Sequence, residues 1–211
     1  MLPLDIFPWV AAPSPDNVEE ALLVVGIGGT VRPDSSTDRA LRVALDSAEA
    51  LGAETVHFTG PQLAELPLYS PSDPKRSPAA EQLVGAVRRA DGLIVASPGY
   101  HASLSGMIKN ALDYLEDLRG DERPYLSGRG VGCVATGAGW QAAVSTLGAL
   151  RAIVHALRGW PTPLGAAINT AGDRDPGDGD KVVFQLETIG AEVVEFARLR
   201  RQAPRTAPVA G

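Results

Sequence analysis

Cysteine is nearly absent from this chain of 211 residues, which contains only Cys133. A single cysteine excludes an internal disulfide framework, and no CxxC or Cys/His spacing typical of a zinc site occurs beside the three histidines. Cys133 lies in the apolar run VGCVAT, so we expect it to be a small core residue rather than a reactive thiol.

Long apolar runs and an excess of positive charge are also missing. No apolar segment approaches the ~18–20 residues that cross a bilayer. The 19 Lys and Arg against 25 Asp and Glu give a net charge of −6, which argues against general affinity for nucleic acid. Residues 1–20 carry four prolines and lack the basic start of a signal peptide. We therefore expect a cytoplasmic protein with no membrane association.

Short apolar runs alternate with segments of helical period. The predicted strands occupy residues 21–26, 54–59, 91–98, 130–136 and 163–168. The predicted helices occupy residues 37–51, a segment around 83–87, 104–118, about 141–158 and 182–196. Parallel strands need crossover connections, so five such units predict an α/β fold with a five-stranded parallel sheet and helices on both faces. This domain spans residues 21–200, between an irregular arm (1–20) and a flexible tail (201–211).

Ligands of such sheets bind beyond the carboxyl ends of the strands, where the loops 27–37, 98–106 and 136–141 are expected. The first of these loops, in GIGGTVRPDSSTDRAL, is rich in glycine but has no GxxxxGK[ST] motif of a P-loop. A dinucleotide-binding fingerprint would need a third glycine where Val31 stands and an acidic residue where the sequence has Thr59-Gly60. Both of these phosphate-binding motifs are therefore excluded.

Hydroxyl groups and one arginine remain in the first loop. Backbone amides and hydroxyls can wrap a terminal phosphate, and an arginine can neutralise it. Alternatively, Ser36 or Thr37 only caps the following helix, which leaves Thr30 and Arg32 unexplained. The candidate phosphate ligands are Thr30, Arg32, Ser35, Ser36 and Thr37.

A second motif lies in SPGYHASLSGMIKNALDYL, residues 97–115. With the pattern G-x-x-G-[ST]-x-R-x-x-S of the first loop, it resembles the NADPH-dependent FMN reductase family, which has a three-layer flavodoxin-like fold. The matching residues are Pro98, Tyr100, Ser103, Leu104, Gly106, Lys109, Asn110 and Asp113. Thr30 replaces the usual Ser, and Thr37 and His101 stand where Asn is common. The resemblance covers about residues 21–168.

The resemblance implies that the first loop holds the terminal phosphate of FMN. Pro98 and Gly99 would shape the backbone near the flavin ring, and Tyr100 and His101 would border it, with Ser103 in the same motif. The third loop would approach the ring or its ribityl chain. Its candidate residues are Thr136, Gly137 and Gly139.

Purely structural roles remain as alternatives for several of these residues. Tyr100 is also explained as an ordinary aromatic residue at a strand end, and the third loop as a tight turn. His101 is a weak candidate for a proton donor, whereas His57 and His155 are expected to be structural. Trp140 would cover the pocket or pack between subunits. By resemblance, Lys109, Asn110 and Asp113 support the loop or a subunit interface.

The implied reaction is hydride transfer from NADPH to FMN, followed by delivery of electrons to a second acceptor. That small-molecule acceptor could be free flavin, a quinone, an azo compound or a metal oxyanion; a partner monooxygenase is a further option. The hydride step needs no catalytic acid–base pair, and no convincing pair occurs in the sequence. A flavodoxin-like electron carrier and a non-catalytic interaction module remain as alternatives. The resemblance also implies a homodimer or homotetramer, with the helix 104–118 as the contact.

Overall fold

A parallel sheet runs through the residues that the structure, a computed structural model, describes: 21–171 and 180–203. Its strands are β1 (Leu23–Gly28), β2 (Glu54–Phe58), β3 (Gly92–Tyr100), β4 (Ser103–Leu104), β5 (Gly130–Gly137), β6 (Trp160–Pro161) and β7 (Ala166–Asn169). The helices are α1 (Ser36–Ala50), α2 (Gly60–Leu63), α3 (Pro78–Arg89), α4 (Gly106–Asp113), α5 (Trp140–Ala156) and α6 (Asp180–Gln202). The predicted arm and residues 204–211 of the predicted tail lie outside the described residues.

The sheet has the strand order β2-β1-β3-β5-β6, and β7 also pairs with β5. Strand β6 pairs with the first two residues of β5 and β7 with the last four, so together they fill one edge position. Five parallel positions are therefore confirmed, but the prediction of five strands is wrong, since the sheet has seven. The edge position is split between Pro161 and Ala166, where residues 162–165 belong to neither strand. The remaining strand, β4, pairs antiparallel with β3.

Helices cover both faces of the sheet and make it the middle of three layers. Alternate strand residues point to opposite faces, so Val24 packs toward α1 and α6, whereas Val25 packs toward α3, α4 and α5. Burial on both faces explains why the strands were recognisable as continuous apolar runs. Cys133 is fully buried on the second face, where burial raises the pKa of its thiol to about 12. Its assignment to the core is confirmed.

The helix predicted at 104–118 differs most from the structure. Leu104 belongs to β4, and Ser105 caps α4, because its Oγ accepts a hydrogen bond of 3.2 Å from the Ile108 nitrogen. After α4 the chain tightens into a 3₁₀ segment, Tyr114–Leu118. Among the described residues, no helix is both long and apolar enough to span a bilayer.

The order of the strands fixes where a ligand can bind. From β1 the chain moves to β2 on one side and then to β3 on the other, so the direction of winding reverses between β1 and β3. Crevices at the carboxyl ends of the strands form at such reversal points. The carboxyl ends of β1, β3 and β5 are neighbours there.

Candidate functional site

Three connections meet at the carboxyl edge of the sheet. The first loop (residues 29–35) follows β1, the hairpin (residues 98–105) joins β3 to β4, and the third loop (residues 138–139) joins β5 to α5. Because β3 lies between β1 and β5, the hairpin lies between the other two connections. The structure thus brings together the three segments predicted to form the site.

The first loop is shaped by its own hydroxyl groups. The Oγ1 of Thr30 donates to the Arg32 carbonyl oxygen at 3.1 Å and accepts from the Arg32 nitrogen at 3.2 Å. The Oγ of Ser35 accepts from the Asp38 nitrogen at 3.2 Å and caps α1. The alternative in which Ser36 or Thr37 caps the helix is therefore wrong. A hydroxyl that accepts still has a hydrogen to donate, so Ser35 remains able to bind an anion.

Thr37 and Thr136 are bonded to each other. Their Oγ1 atoms lie 2.6 Å apart, and the two residues are 1% and 3% exposed. The bond joins the first turn of α1 to the end of β5 across 99 residues of sequence. Since one hydroxyl donates to the other, the pair keeps a single hydrogen for any further acceptor.

Arg32 differs from the other arginines near the first loop. Arg39 donates to the Asp34 carbonyl oxygen, and Arg42 contacts the Asp34 carboxylate and lies 2.7 Å from that of Asp38. Arg32 is exposed, and within residues 21–171 and 180–203 its guanidinium has no hydrogen bond or ion pair. It is the arginine in this region that is available to an anion.

A buried acid and an imidazole lie beside the first loop. The Oδ1 of Asp38, which is 6% exposed, lies 3.4 Å from the Nε2 of His57, and neither atom has a hydrogen-bond partner among the described residues. Burial lowers the pKa of His57, against the smaller opposing effect of the Asp38 charge. Burial therefore favours the neutral form of the imidazole.

The hairpin is a feature that sequence reasoning missed. Gly99 pairs with Leu104 and Tyr100 with Ser103, which leaves His101 and Ala102 as a two-residue turn. Their φ angles are 52° and 68°, so both central residues are left-handed, as in a type I′ turn. Such turns favour Asn-Gly, which is why HASL gave no signal.

Tyr100 and His101 lie at the rim of the site. Tyr100 is 53% exposed and His101 is also exposed. Pro98 is buried and pairs with Thr136 in the β3–β5 ladder, while the Ser97 Oγ donates to the Pro98 carbonyl oxygen at 2.9 Å. The hairpin thus has a fixed base and an accessible tip.

Two of the predicted glycines are required by packing against α5. A Cβ on Gly99 would lie 2.6 Å from the Thr146 Oγ1, which donates to the Ser103 carbonyl oxygen at 3.2 Å. A Cβ on Gly137 would lie 2.9 Å from the Ala143 nitrogen. These contacts hold the hairpin and the end of β5 against the helix.

Gly139 faces open space instead. Its φ is 146°, a Cβ there would meet nothing within 4 Å, and it caps α5 without any side-chain hydrogen bond. The first N–H groups of α5 have no partner within the helix, and they carry its positive dipole. Trp140, the next residue, is 63% exposed.

Asn110 supports a loop other than the hairpin. Its Nδ2 donates to the Pro67 carbonyl oxygen at 2.9 Å, and its Oδ1 accepts from the Tyr69 nitrogen at 2.8 Å. Lys109 and Asp113 form an ion pair of 2.5 Å along α4. None of the three lies in the first loop, the hairpin or the third loop.

Residues 22–173 match the family model described as NADPH-dependent FMN reductase, which covers more than half of the chain. The chain belongs to this family. The FMN reductase (NADPH) of Escherichia coli is 32% identical over 136 residues, or 64% of this chain and 63% of that protein. Other matched relatives are named for quinones or azo compounds. The matched stretch spans 48% to 63% of the first relatives' own length.

Solved structures share the fold of this chain. An NADH:FMN oxidoreductase (EMOB) in its apo form has a TM-score of 0.68 at 23% identity, covering 87% of this chain and 92% of that one. A flavodoxin from the domain Archaea has a TM-score of 0.58 at 8% identity, covering 83% and 98%. The fold is therefore a three-layer, flavodoxin-like α/β/α fold.

The residues present fit the FMN implied by the FMN reductase family. A phosphate needs several donors and a positive charge, which Ser35, the start of α1 and the unpaired Arg32 can supply. A flat ring needs an unobstructed approach, and the space at Gly139 provides one. No cluster of three or more His, Cys, Asp or Glu in the described ranges could hold a metal ion.

Proposed function

We propose that this protein is an NAD(P)H-dependent FMN reductase whose cofactor lies along the carboxyl edge of the sheet. In this assignment the first loop and the start of α1 bind the terminal phosphate through Thr30, Arg32, Ser35, Ser36 and Thr37. The hairpin, through Pro98, Gly99, Tyr100, His101 and Ser103, borders the ring. The third loop, with the adjoining Thr136, Gly137 and Gly139, lies against the ring or ribityl chain.

The observation that carries this proposal is the convergence of the two motif-bearing segments with the third loop. The start of α1, which follows the first loop directly, is far from the end of β5 in sequence, yet the 2.6 Å bond between Thr37 and Thr136 joins them. The first loop offers an unpaired guanidinium, and the third loop offers the N–H groups at the start of α5, which no described side chain caps. The positive charge of Arg32 in the first loop suits the phosphate of FMN. The open space at Gly139 in the third loop suits its ring.

The chemistry that bound FMN would supply is hydride uptake from NADPH and electron delivery to the second substrate. The side chains around it have binding and orienting roles. Arg32 and Ser35 hold the phosphate, the packed base of the hairpin orients the residues beside the ring, and Tyr100 and Trp140 form an exposed rim. No residue is assigned as a catalytic acid or base.

The proposed second substrate is a small molecule such as free flavin, a quinone or a similar acceptor. The exposed tip of the hairpin and the exposed Trp140 leave an open rim at which flat molecules can stack. Relatives named for quinones or azo compounds support this class. A donor such as NADPH also suits the cytoplasmic location expected from the sequence.

An electron carrier that binds FMN without using NADPH is the main alternative, and a module that binds no flavin is another. The deciding experiment is an absorbance spectrum of the protein with FMN, before and after NADPH is added without oxygen. Prompt bleaching of the bound flavin band establishes a reductase. A bound band that persists favours the carrier, and no bound flavin contradicts the proposal.

We also propose a homodimer or homotetramer that uses α4 and the following 3₁₀ segment. A cavity of about 290 Å³ opens there, lined by Tyr69, Pro71, Leu112, Asp113, Glu116 and Leu157. Leu68, next to it in the chain, is 85% exposed and suits insertion into a second copy. Elution at the mass of a monomer in size-exclusion chromatography would contradict this assembly.

A further inference from the structure

The end of β2 places a glycine against the backbone of the first loop. A Cβ built on Gly60 would lie 1.9 Å from the Thr30 carbonyl oxygen and 2.6 Å from the Thr30 nitrogen. Gly29 meets Gly60 in return: its φ is 113°, and a Cβ there would lie 2.9 Å from the Gly60 nitrogen. Any side chain at Gly60 must therefore displace the backbone on one side of this contact.

The Gly60 side of the contact is held firmly. Gly60 begins the short helix α2, where the Thr59 nitrogen and Oγ1 both donate to the Gln62 Oε1, at 2.9 and 3.0 Å. Leu63, at the other end of α2, is 2% exposed in the core. Moving Gly60 would break this turn or pull Leu63 out of its packing.

The first loop is the side that yields. Thr30 is half-buried, and its side chain is bonded only two residues away, to Arg32, within the loop itself. Gly29 provides backbone freedom at the point where the loop leaves β1. A side chain at Gly60 would consequently move Thr30, and with it the backbone that carries Arg32.

Strand β2 also reaches the helix that follows the loop. The imidazole of His57 faces the Asp38 carboxylate in the first turn of α1 at 3.4 Å. Strand β2 thus contacts α1 through His57, and Gly60, two residues beyond the end of β2, contacts the first loop. None of the residues predicted to contact the cofactor lies on β2.

We propose that Gly60 is a positioning residue for the phosphate. Its close contact with the Thr30 backbone holds the first loop in the conformation that binds the terminal phosphate of FMN. It thereby determines the preference for FMN over riboflavin, which has the same ring and no phosphate. This inference rests on the proposed function, in which the first loop is the phosphate site.

The test is Gly60→Ala, with binding of FMN and of riboflavin measured separately by fluorescence titration. A displaced loop loses charged contacts to the phosphate, so FMN affinity should fall about ten- to a hundredfold. Riboflavin affinity should change less than about threefold, because the hairpin and the third loop are untouched. A variant that is merely destabilised would lose affinity for both ligands alike, which would overturn the proposal.

Two further variants complete the design. Gly120→Ala makes the same change in open space, where a Cβ meets nothing within 4 Å, and should leave both affinities unchanged. Gln62→Ala adds no volume and removes an exposed side chain, so it folds even if Gly60→Ala does not. Loss of its two hydrogen bonds loosens the turn, and FMN affinity alone should fall several-fold.

The outcomes separate this inference from the proposed function. If the wild type binds FMN no better than riboflavin, the phosphate assignment itself is wrong, and the role of Gly60 fails with it. If the wild type prefers FMN and both variants keep the full preference, the phosphate site stands and only the positioning role of Gly60 is overturned.

Discussion

The first loop and the hairpin lie on neighbouring strands, yet they are held in different ways. The first loop is anchored at its end, where Ser35 is almost wholly buried, and it contacts Gly60 through Thr30. The hairpin is packed at its base against α5, but its tip, His101 and Ala102, is exposed. The first loop thus ends in buried contacts, whereas the hairpin ends in an accessible tip.

This difference matches two separate tasks in a cofactor enzyme. An invariant group such as a phosphate is best held by fixed donors that need no rearrangement. A rim that meets varied small molecules gains from exposed side chains. Four variants test this contrast. Two change Arg32 and Thr37 in the proposed phosphate site, one changes His57 beside α1, and one changes Ala102 at the tip of the hairpin.

Arg32→Ala should have the largest effect. Loss of one charged contact of ~1.5–3 kcal/mol should weaken FMN binding about ten- to a hundredfold. Arg89→Ala, an exposed arginine at the end of α3, is the matched control and should leave binding unchanged. Fluorescence titration measures both. Unchanged affinity in Arg32→Ala would place the phosphate elsewhere.

Thr37→Val should destabilise the fold by about 1–3 kcal/mol, because it leaves the buried Thr136 hydroxyl without its partner. Replacing both threonines with valine should cost less than the sum of the two single changes. Urea unfolding of the four proteins in this cycle gives the coupling. Strict additivity would show that the bond contributes nothing to stability.

His57 should make stability depend on pH. Its pKa in the folded protein is lowered by burial below the ordinary value of about 6.5, so the unfolded chain binds the proton more readily. The contribution of His57 is therefore fully present above about pH 6.5 and is lost as the pH falls through the folded pKa. The groups facing it, Asp38 and Arg42, both come from α1.

The measurement is the free energy of unfolding between pH 5 and pH 8. His57→Gln should flatten the curve on the acid side. His155→Gln, an exposed histidine near the end of α5, should not. A wild-type curve that His57→Gln leaves unaltered would contradict the assignment.

Ala102→Gly should have the smallest effect and the opposite sign. Ala102 has a φ of 68°, which glycine adopts without steric cost, so the change should stabilise the fold by roughly 0.5–1 kcal/mol. Ala152→Gly, at an exposed position within α5, should instead destabilise by a similar amount. Thermal unfolding compares them. Destabilisation by both would argue against a strained turn.

Much of the fold was predictable because its signals are local. Strands buried on both faces appear as apolar runs, and the crossover rule converts their alternation with helices into a three-layer sheet. The split of the edge strand was missed, since two residues at Trp160–Pro161 show no periodicity. The hairpin was missed because His-Ala is an unusual pair for two left-handed positions.

The site was predictable in its composition and not in its internal contacts. Arg32 and Ser35 were predictable because they belong to a motif of ten consecutive residues, 26–35, which is visible in the sequence itself. The bond between Thr37 and Thr136 and the contact between Gly60 and Thr30 join segments whose approach depends on the whole sheet. Requirements of that kind leave no pattern along the chain.

The divided edge of the sheet also limits how copies of this chain can associate. A continuous edge strand offers a row of free backbone groups that invites a neighbour's strand. Here a neighbour would find two residues in β6 and four in β7, with prolines around the break. The divided edge therefore disfavours growth of a sheet across molecules on that side.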